Sequence, residues 1–509
     1  MRKRWQMCCL LAVFLFASGC SMTEGSSDNK ENEKSINLLF NFPANTLDPH
    51  IDTNYTAVRA GVAETLVKID DEDLKIKPWL AEKWESKDGK TWTFTLKENL
   101  TFQNGKKADA EAVKKSLERA IGENEAIQNA LHIESMKANN RQLVIKTDKV
   151  RPEFPSELVH PNTAIIDVAD KNEAKAPVGT GPFKVESFTS GSSLSLIKFE
   201  DYWDGAAKLD KAVFSFNEDA NARLLAIKSG DVDIAYRPPI ESLSELEAQG
   251  NIQIDSIAGL RTHQLTFNLA NPLIQDIQVR KAINALIDKD EIATSILENH
   301  GEVARGPFLK SFPFSPDYET EKSGIEAAKK YLKEAGYQKE NGILQKDGKT
   351  LSFTLLTYQS RPELPLIAQL IQSNAKKLGI TIDIQQVENV DEYMAEHHDW
   401  GLATYSSLTA PRGDAGYFLN AAYHEKGALN YGQVNDAKLN GILDELNQTV
   451  DIPRRESLAK EAAEIIDEKV LNSFMVHPNI IVAYNKERVK NWKTTRSEYY
   501  MLTNELEVK

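Results

Sequence analysis

The sequence predicts an α/β chain with more than one core, and three stretches carry that expectation. From His263 to Phe267 apolar and polar residues alternate as in a half-buried strand, with Leu265 and Phe267 on one face. From Asp276 the spacing turns helical: Val279, Ala282, Ile283, Leu286 and Ile287 recur as i, i+3, i+4, i+7, i+8, the apolar stripe of a helix laid on a core. Asp288 with Glu291 then forms a capping box that opens a second helix ending near Gly301. The second stretch reads as strand 351–358, helix 365–378 with Ile367, Leu370, Ile371 and Leu378 inward and Gly379 as its stop, and strand 380–387. That is a βαβ unit, which demands a parallel pair and a right-handed crossover. In the third, an Asp88-Gly89 turn precedes a strand with Trp92, Phe94 and Leu96 on one face, and Asp109 caps a helix carrying Ala110, Val113, Leu117 and Ala120.

The other elements follow in order. Residues 36–42 form a short apolar strand, and Asp48-Pro49 marks a turn. Gly179-Thr180-Gly181-Pro182 has neither the spacing nor the Lys-Ser/Thr pair of a phosphate loop and reads as a rigid turn entering a strand. Ser323 with Glu326 is expected to cap a helix bearing Ile325, Ala328 and Leu332, a last helix spans 454–468, and residues 476–484 are apolar enough for a buried strand. At 509 residues and 41% apolar, the chain has material for two or three cores.

The N-terminus is a targeting segment. Arg2, Lys3 and Arg4 precede a short apolar run, and Ala17-Ser18-Gly19 stand immediately before Cys20. Residues 1–19 are read as a signal peptide, and Cys20 as a lipobox cysteine that is acylated and becomes the mature N-terminus. Residues 20–35 are then a polar tether, which places the body at the outer face of the cell membrane. The only cysteines are Cys8, Cys9 and Cys20, so an exported chain carries no cysteine pair for a disulfide or for thiol chemistry. Losing the signal takes the formal net charge from −14 to −17, and so acidic a body has no footprint for nucleic acid.

No catalytic constellation emerges: there is no G-x-S-x-G elbow, no H-E-x-x-H and no carboxylate pair singled out by context. An anchored extracellular hydrolase is therefore the distant alternative. His397-His398 reads as a solvated turn, and the single histidines as structural, with His160 and His263 the exceptions by position. Arg412-Gly413-Asp414 spells an adhesion tripeptide too short to mean anything. Residues 405–433 are different. They combine Tyr405, Tyr417, Tyr423 and Tyr431 with Arg412, His424 and four glycines, without a regular period. Aromatic walls and a planar cation suit a cleft that grips a small ligand carrying carboxylates.

Several blocks together resemble one family. Pro78-x-Leu80-Ala81 followed by Trp84, the run 88–96 DGKTWTFTL, Phe102-x-Asn104-Gly105, the 109–113 DAEAV helix start, Gly179-Thr180-Gly181-Pro182-Phe183, Tyr202-Trp203, and Phe267-Asn268 with 279–292 VRKAINALIDKDEI occur in order. They resemble the solute-binding proteins that deliver oligopeptides, dipeptides and nickel to ABC importers, and are most similar to the nickel branch. The resemblance implies a two-lobed periplasmic-binding-protein-like fold of type II. Lobe I would hold 36–267 and 479–509, lobe II 268–478, with ligand between lobes that close like a hinge. It also implies a transported nickel chelate with small carboxylate or histidine ligands, no cofactor, and a monomer working with an ABC permease and its ATPase subunits; an oligopeptide or dipeptide is the alternative cargo.

For site residues, the nickel branch carries an aromatic motif whose position Arg412 occupies, with Tyr405, Tyr417 and Tyr431 nearby and His424 close to its downstream metal-binding histidine. The branch's R-P-x-R motif is matched here by His160-Pro161-Asn162-Thr163, without arginine, which shifts the anionic anchor to Arg412. His160, Asn162 and His263 complete the expected ligand set. In the peptide branch an aspartate meets the peptide's amino terminus, and Asp414 fits that role.

Overall fold

The structure is a computed structural model that describes residues 34–318, 322–340 and 342–509. The expected signal peptide, Cys20 and nearly all of the tether lie outside the described residues. The mixed α/β architecture is built on one long sheet. Its order is Thr381–Gln386, Ser352–Thr357, Leu402–Leu408, Arg261–Phe267, Asn472–Asn485, Ile234–Tyr236, Ser35–Phe40, Lys211–Phe216, Ser193–Lys198 and Phe183–Thr189. Ile252–Ala258 and Gly301–Val303 join it by pairing with Asn472–Asn485.

Asn472–Asn485 is the strand both halves of the sheet share. Its first part pairs with Arg261–Phe267, and from Asn479 it pairs with Ile252–Ala258 and Ile234–Tyr236. The chain thus passes between the halves at Gly259-Leu260 and again at Pro478. Arg261–Phe267 pairs along its whole length with Leu402–Leu408. Its Leu265 and Phe267 belong to an apolar cluster with Val279, Ile283, Ile367 and Trp400, whereas Ile36, Phe40, Phe94 and Phe214 belong to another that also takes in Phe418, Leu443 and Leu458.

The local readings mostly hold. In the Thr91–Leu96 strand Trp92, Phe94 and Leu96 are buried, and in the Ala110–Glu123 helix Asp109 accepts from the Ala112 amide. Ser352–Thr357 and Thr381–Gln386 pair in parallel around the Glu363–Leu378 helix, which stops at Gly379 with φ +89°. Asp276 caps Ile277–Ala285. Three expectations need correcting. Arg261–Phe267 is buried on both faces from Thr262 onward and so does not alternate. The helix capped by Asp288 ends with a π-helical turn at Ile296, before Gly301. Ser323 caps nothing: the Ile325–Glu334 helix starts after Gly324, whose φ of +93° leaves no capping side chain.

Two sequence blocks converge on one carboxylate. Thr180 Oγ1 donates to Glu64 Oε2 at 2.8 Å, Trp203 Nε1 to the same oxygen at 3.0 Å, and the Tyr202 hydroxyl to Oε1 at 2.6 Å. Burial pushes the Glu64 carboxyl up to about 7 in spite of these donors. The glycines on either side of Thr180 permit the approach: a Cβ at Gly179 would lie 2.1 Å from the Val62 carbonyl oxygen, and one at Gly181 2.3 Å from that of Gly61.

Candidate functional site

The ends of the central strands and the C-terminal return bring basic and aromatic side chains together. Arg237 follows the Ile234–Tyr236 strand in a left-handed conformation (φ 46°) and donates through Nη2 to both oxygens of Glu498, at 3.1 and 3.2 Å. Burial would raise the Glu498 carboxyl, but Arg237, Arg59 and Arg361 outweigh it and hold it below the usual carboxylate range. Arg261 opens its strand and donates to the Ser406 carbonyl at 2.9 Å. Burial, with Arg361 and Arg237 nearby, pushes its guanidinium down to about 9. Arg361, just before the Glu363–Leu378 helix, is pushed down by burial and by Arg237. Among the described residues neither Arg261 nor Arg361 has an ion-pair partner.

His263 links this cluster to the sheet. Its Nε2 lies 2.7 Å from Glu363 Oε1. Burial lowers the imidazole and, although burial alone would raise Glu363, the His263 bond holds that carboxyl down at about 2. A neutral imidazole donating from Nε2 to an ionised Glu363 fits both shifts and leaves Nδ1 as a buried acceptor without a partner. The Tyr236 hydroxyl, Arg237 Nε, Gln264 Oε1, Thr266 Oγ1 and Arg412 Nε are likewise buried and unpartnered. Buried polar atoms are nearly always paired, so His263 Nδ1 and Arg237 Nε, both at the arginine cluster, are left to meet something polar.

At the other end stands Arg412, ion-paired with Glu157 and lying 4.6 Å from the centre of the Tyr417 ring. Burial pushes its guanidinium down, while Tyr417, Tyr499 and Tyr55 act against that. Tyr55 meets His160 edge-on at 5.3 Å and Tyr499 at 5.8 Å. The residue before Tyr499, Glu498, holds Arg237, so the C-terminal return touches both the Arg412 end and the arginine cluster.

The family model for bacterial extracellular solute-binding proteins, family 5 middle, matches residues 75–430. The nickel-binding protein NikA of Staphylococcus aureus is 34% identical over 494 residues, 97% of each chain. The chain belongs to family 5 of the bacterial extracellular solute-binding proteins. Among solved structures, the nickel ABC transporter from Bacillus halodurans is 55% identical with a TM-score of 0.87, covering 94% of this chain and 100% of that one. Staphylococcus aureus NikA in complex with Ni(L-His)2 is 34% identical with a TM-score of 0.77, at the same coverage. The fold is the two-lobed type II binding-protein fold of this family.

Within this family-5 frame the expected ligand residues fall into separate groups. Arg412, Tyr417 and His160 come together around Tyr55 and Tyr499. Tyr405 and Tyr431 stand apart, 6.0 Å from each other, walling a small cavity with Gln264 and Thr266; Tyr405 also donates to Asp391. Asn162 donates to the carbonyls of Pro49 and Asp52, which fixes the loop before the first helix. Asp414 is held by Arg455 at 2.9 Å and caps the Gly416 amide at 2.7 Å. His424 accepts from the Lys426 amide with Nδ1 at 3.1 Å, and its Nε2 faces Asp444 at 3.4 Å; it shares no partner with Arg412. His397 and His398 are exposed, as the turn reading expects. Sequence reasoning missed Arg237, Arg361 and Glu498, which come from three distant segments. The Arg237-Pro238-Pro239 run was the available signal, since a residue forced out of regular structure at a strand end often points into a cleft.

Proposed function

We propose that this chain captures nickel as a chelate with small carboxylate-bearing ligands such as histidine and passes it to an ABC permease with its ATPase subunits. One observation carries the reading: among the described residues the half-buried guanidinium groups of Arg261 and Arg361 form no ion pair, and both lie near Arg237. A chelate whose amino-acid ligands present carboxylates supplies the missing anions, and a guanidinium takes them bidentately. The relatives named as nickel-binding support nickel as the cargo. Among the described residues no three His, Cys, Asp or Glu side chains gather closely enough to hold a metal ion, which suits recognition through the chelator's own atoms. In this reading Arg412 and Tyr417 close on the chelate from one side and Arg237, Arg261 and Arg361 from the other. His424 acts at most from the periphery, through Asp444. Acylation at Cys20 would hold the protein at the outer face of the cell membrane.

Native mass spectrometry of the purified chain with its co-purified ligand tests this. A nickel isotope pattern with histidine-like adducts is expected. A ladder of metal-free peptides would overturn the reading in favour of peptide cargo.

A further inference from the structure

Beside the arginine cluster lies a chamber of about 1200 Å³ whose size and lining exceed what a compact chelate needs. Its floor holds Arg237 and Arg361. One wall is apolar: Phe42, Ile240, Leu366, Leu370 and Ile481 line it. Leu366 is the informative member. The Glu363–Leu378 helix buries Leu364, Ile367, Ala368 and Ile371 against the sheet, yet Leu366 points elsewhere and is 50% exposed. A helix with a second, uncovered apolar face toward a cavity presents that face to an apolar group. Carboxylates line the chamber as well, with Glu218, Glu241, Glu291 and Glu298 exposed and Glu363 beside Arg361. Guanidinium groups, carboxylates and apolar side chains in one lining together fit a zwitterionic amino-acid unit that carries an apolar side chain.

We propose that this chamber selects among nickel chelates, favouring those in which an amino-acid-type chelator bears an aliphatic or aromatic side chain. The inference rests on the nickel-chelate reading for its metal, but not for its side-chain preference. The carboxylate is held near Arg361 and Arg237, and the side chain lies along Phe42, Leu366 and Leu370.

The test is calorimetric titration of the full-length chain with nickel pre-mixed with Gly-His or with Phe-His, chelators that differ by one benzyl group. The Phe-His chelate binds about tenfold or more tightly to the wild type, as burial of an aromatic side chain implies. Leu366→Glu, which sets a carboxylate in the chamber, abolishes the preference, and circular dichroism reports whether its fold is intact. Leu366→Ala, which removes only half-exposed atoms, reduces the preference and covers the case in which glutamate disturbs folding. Equal affinity for the two chelates in the wild type, or a preference that survives both substitutions, overturns the chamber proposal. Metal-free Phe-His and Gly-His, and nickel with excess histidine, separate the two claims. Preference among metal-free dipeptides with no binding of any nickel chelate supports the chamber and overturns nickel as cargo. Binding of nickel–histidine with no side-chain preference does the reverse.

Discussion

Arg412 and Glu157 form a buried ion pair across 255 residues of sequence, each at most 10% exposed in its side chain. The pair joins the segment after the Leu402–Leu408 strand to the start of the His160 turn. Beside it a Cβ on Gly413 would meet the Leu74 carbonyl at 3.1 Å. The guanidinium expected to meet a ligand's carboxylate therefore has a protein carboxylate as well, and its charge holds two segments together around the cleft.

Removing either partner leaves a buried charge unpaired. Arg412→Ala is expected to lower affinity for nickel–histidine by about 2 to 5 kcal/mol, and Glu157→Gln to lower it too. Arg412→Lys restores only part, a point charge replacing a planar fork. Calorimetry on the three variants checks this; an affinity lost with Arg412 but untouched by Glu157→Gln would mean that Arg412 acts on the ligand alone.

Glu64 makes stability depend on pH. Its folded carboxyl titrates near 7 against an ordinary 4.5, so the unfolded chain ionises first as pH rises. The stability from this group is complete below pH 4.5, falls as pH rises, and is lost by about pH 7, a change on the order of 3 kcal/mol. In Glu64→Gln, an amide oxygen standing where Glu64 Oε2 stands accepts from Thr180 and Trp203, while the Tyr202 hydroxyl turns to accept from the amide nitrogen. Urea denaturation between pH 4.5 and 7 should therefore show a shallower slope for Glu64→Gln than for the wild type.

The turn at Gly179 tolerates no side chain. A Cβ 2.1 Å from the Val62 carbonyl oxygen overlaps backbone that is itself paired, through the Gly181 amide donating to Val62 O. Gly179→Ala is expected to cost about 3 kcal/mol or more. The midpoint of urea denaturation measures it, and Gly441→Ala is the control: φ is positive at neither position, and no atom lies within 4 Å of a Cβ added at Gly441.

Cys20→Ala should release the protein from the membrane fraction without unfolding it, since the first strand starts only at Ser35, within the last residues of the expected tether. Fractionation after a high-salt wash, with circular dichroism of the released protein, is the check. Retention on the membrane would remove lipid attachment at Cys20 from the reading.

Periodic and capped elements were legible because their signals are local. Asp109 and Asp276 cap where their spacing says, and Trp92, Phe94 and Leu96 are buried on the face their alternation picks. Residues 405–433 were legible only as composition. Tyr405 proves to sit on a strand, Tyr417 on a helix, and Tyr423 is buried with its hydroxyl accepting from Asn472 at 2.8 Å, so one tyrosine-rich run serves three environments. Arg237, Arg361 and Glu498 carry no pattern because their proximity exists only once the sheet has formed. Ser323 shows the opposite failure, a good local signal displaced by one residue when Gly324 took the helix start.

The shared Asn472–Asn485 strand also bears on the order in which the chain can fold. It lies between Arg261–Phe267 and Ile234–Tyr236, so until residues 472–485 have been synthesised each half of the sheet ends in an unpaired edge at what becomes its middle. Pairing across such sequence separations is slow and comes late. A ribosome must therefore pass residue 472 before either half can close, and a chain cut short of Asn472 would expose both edges to aggregation.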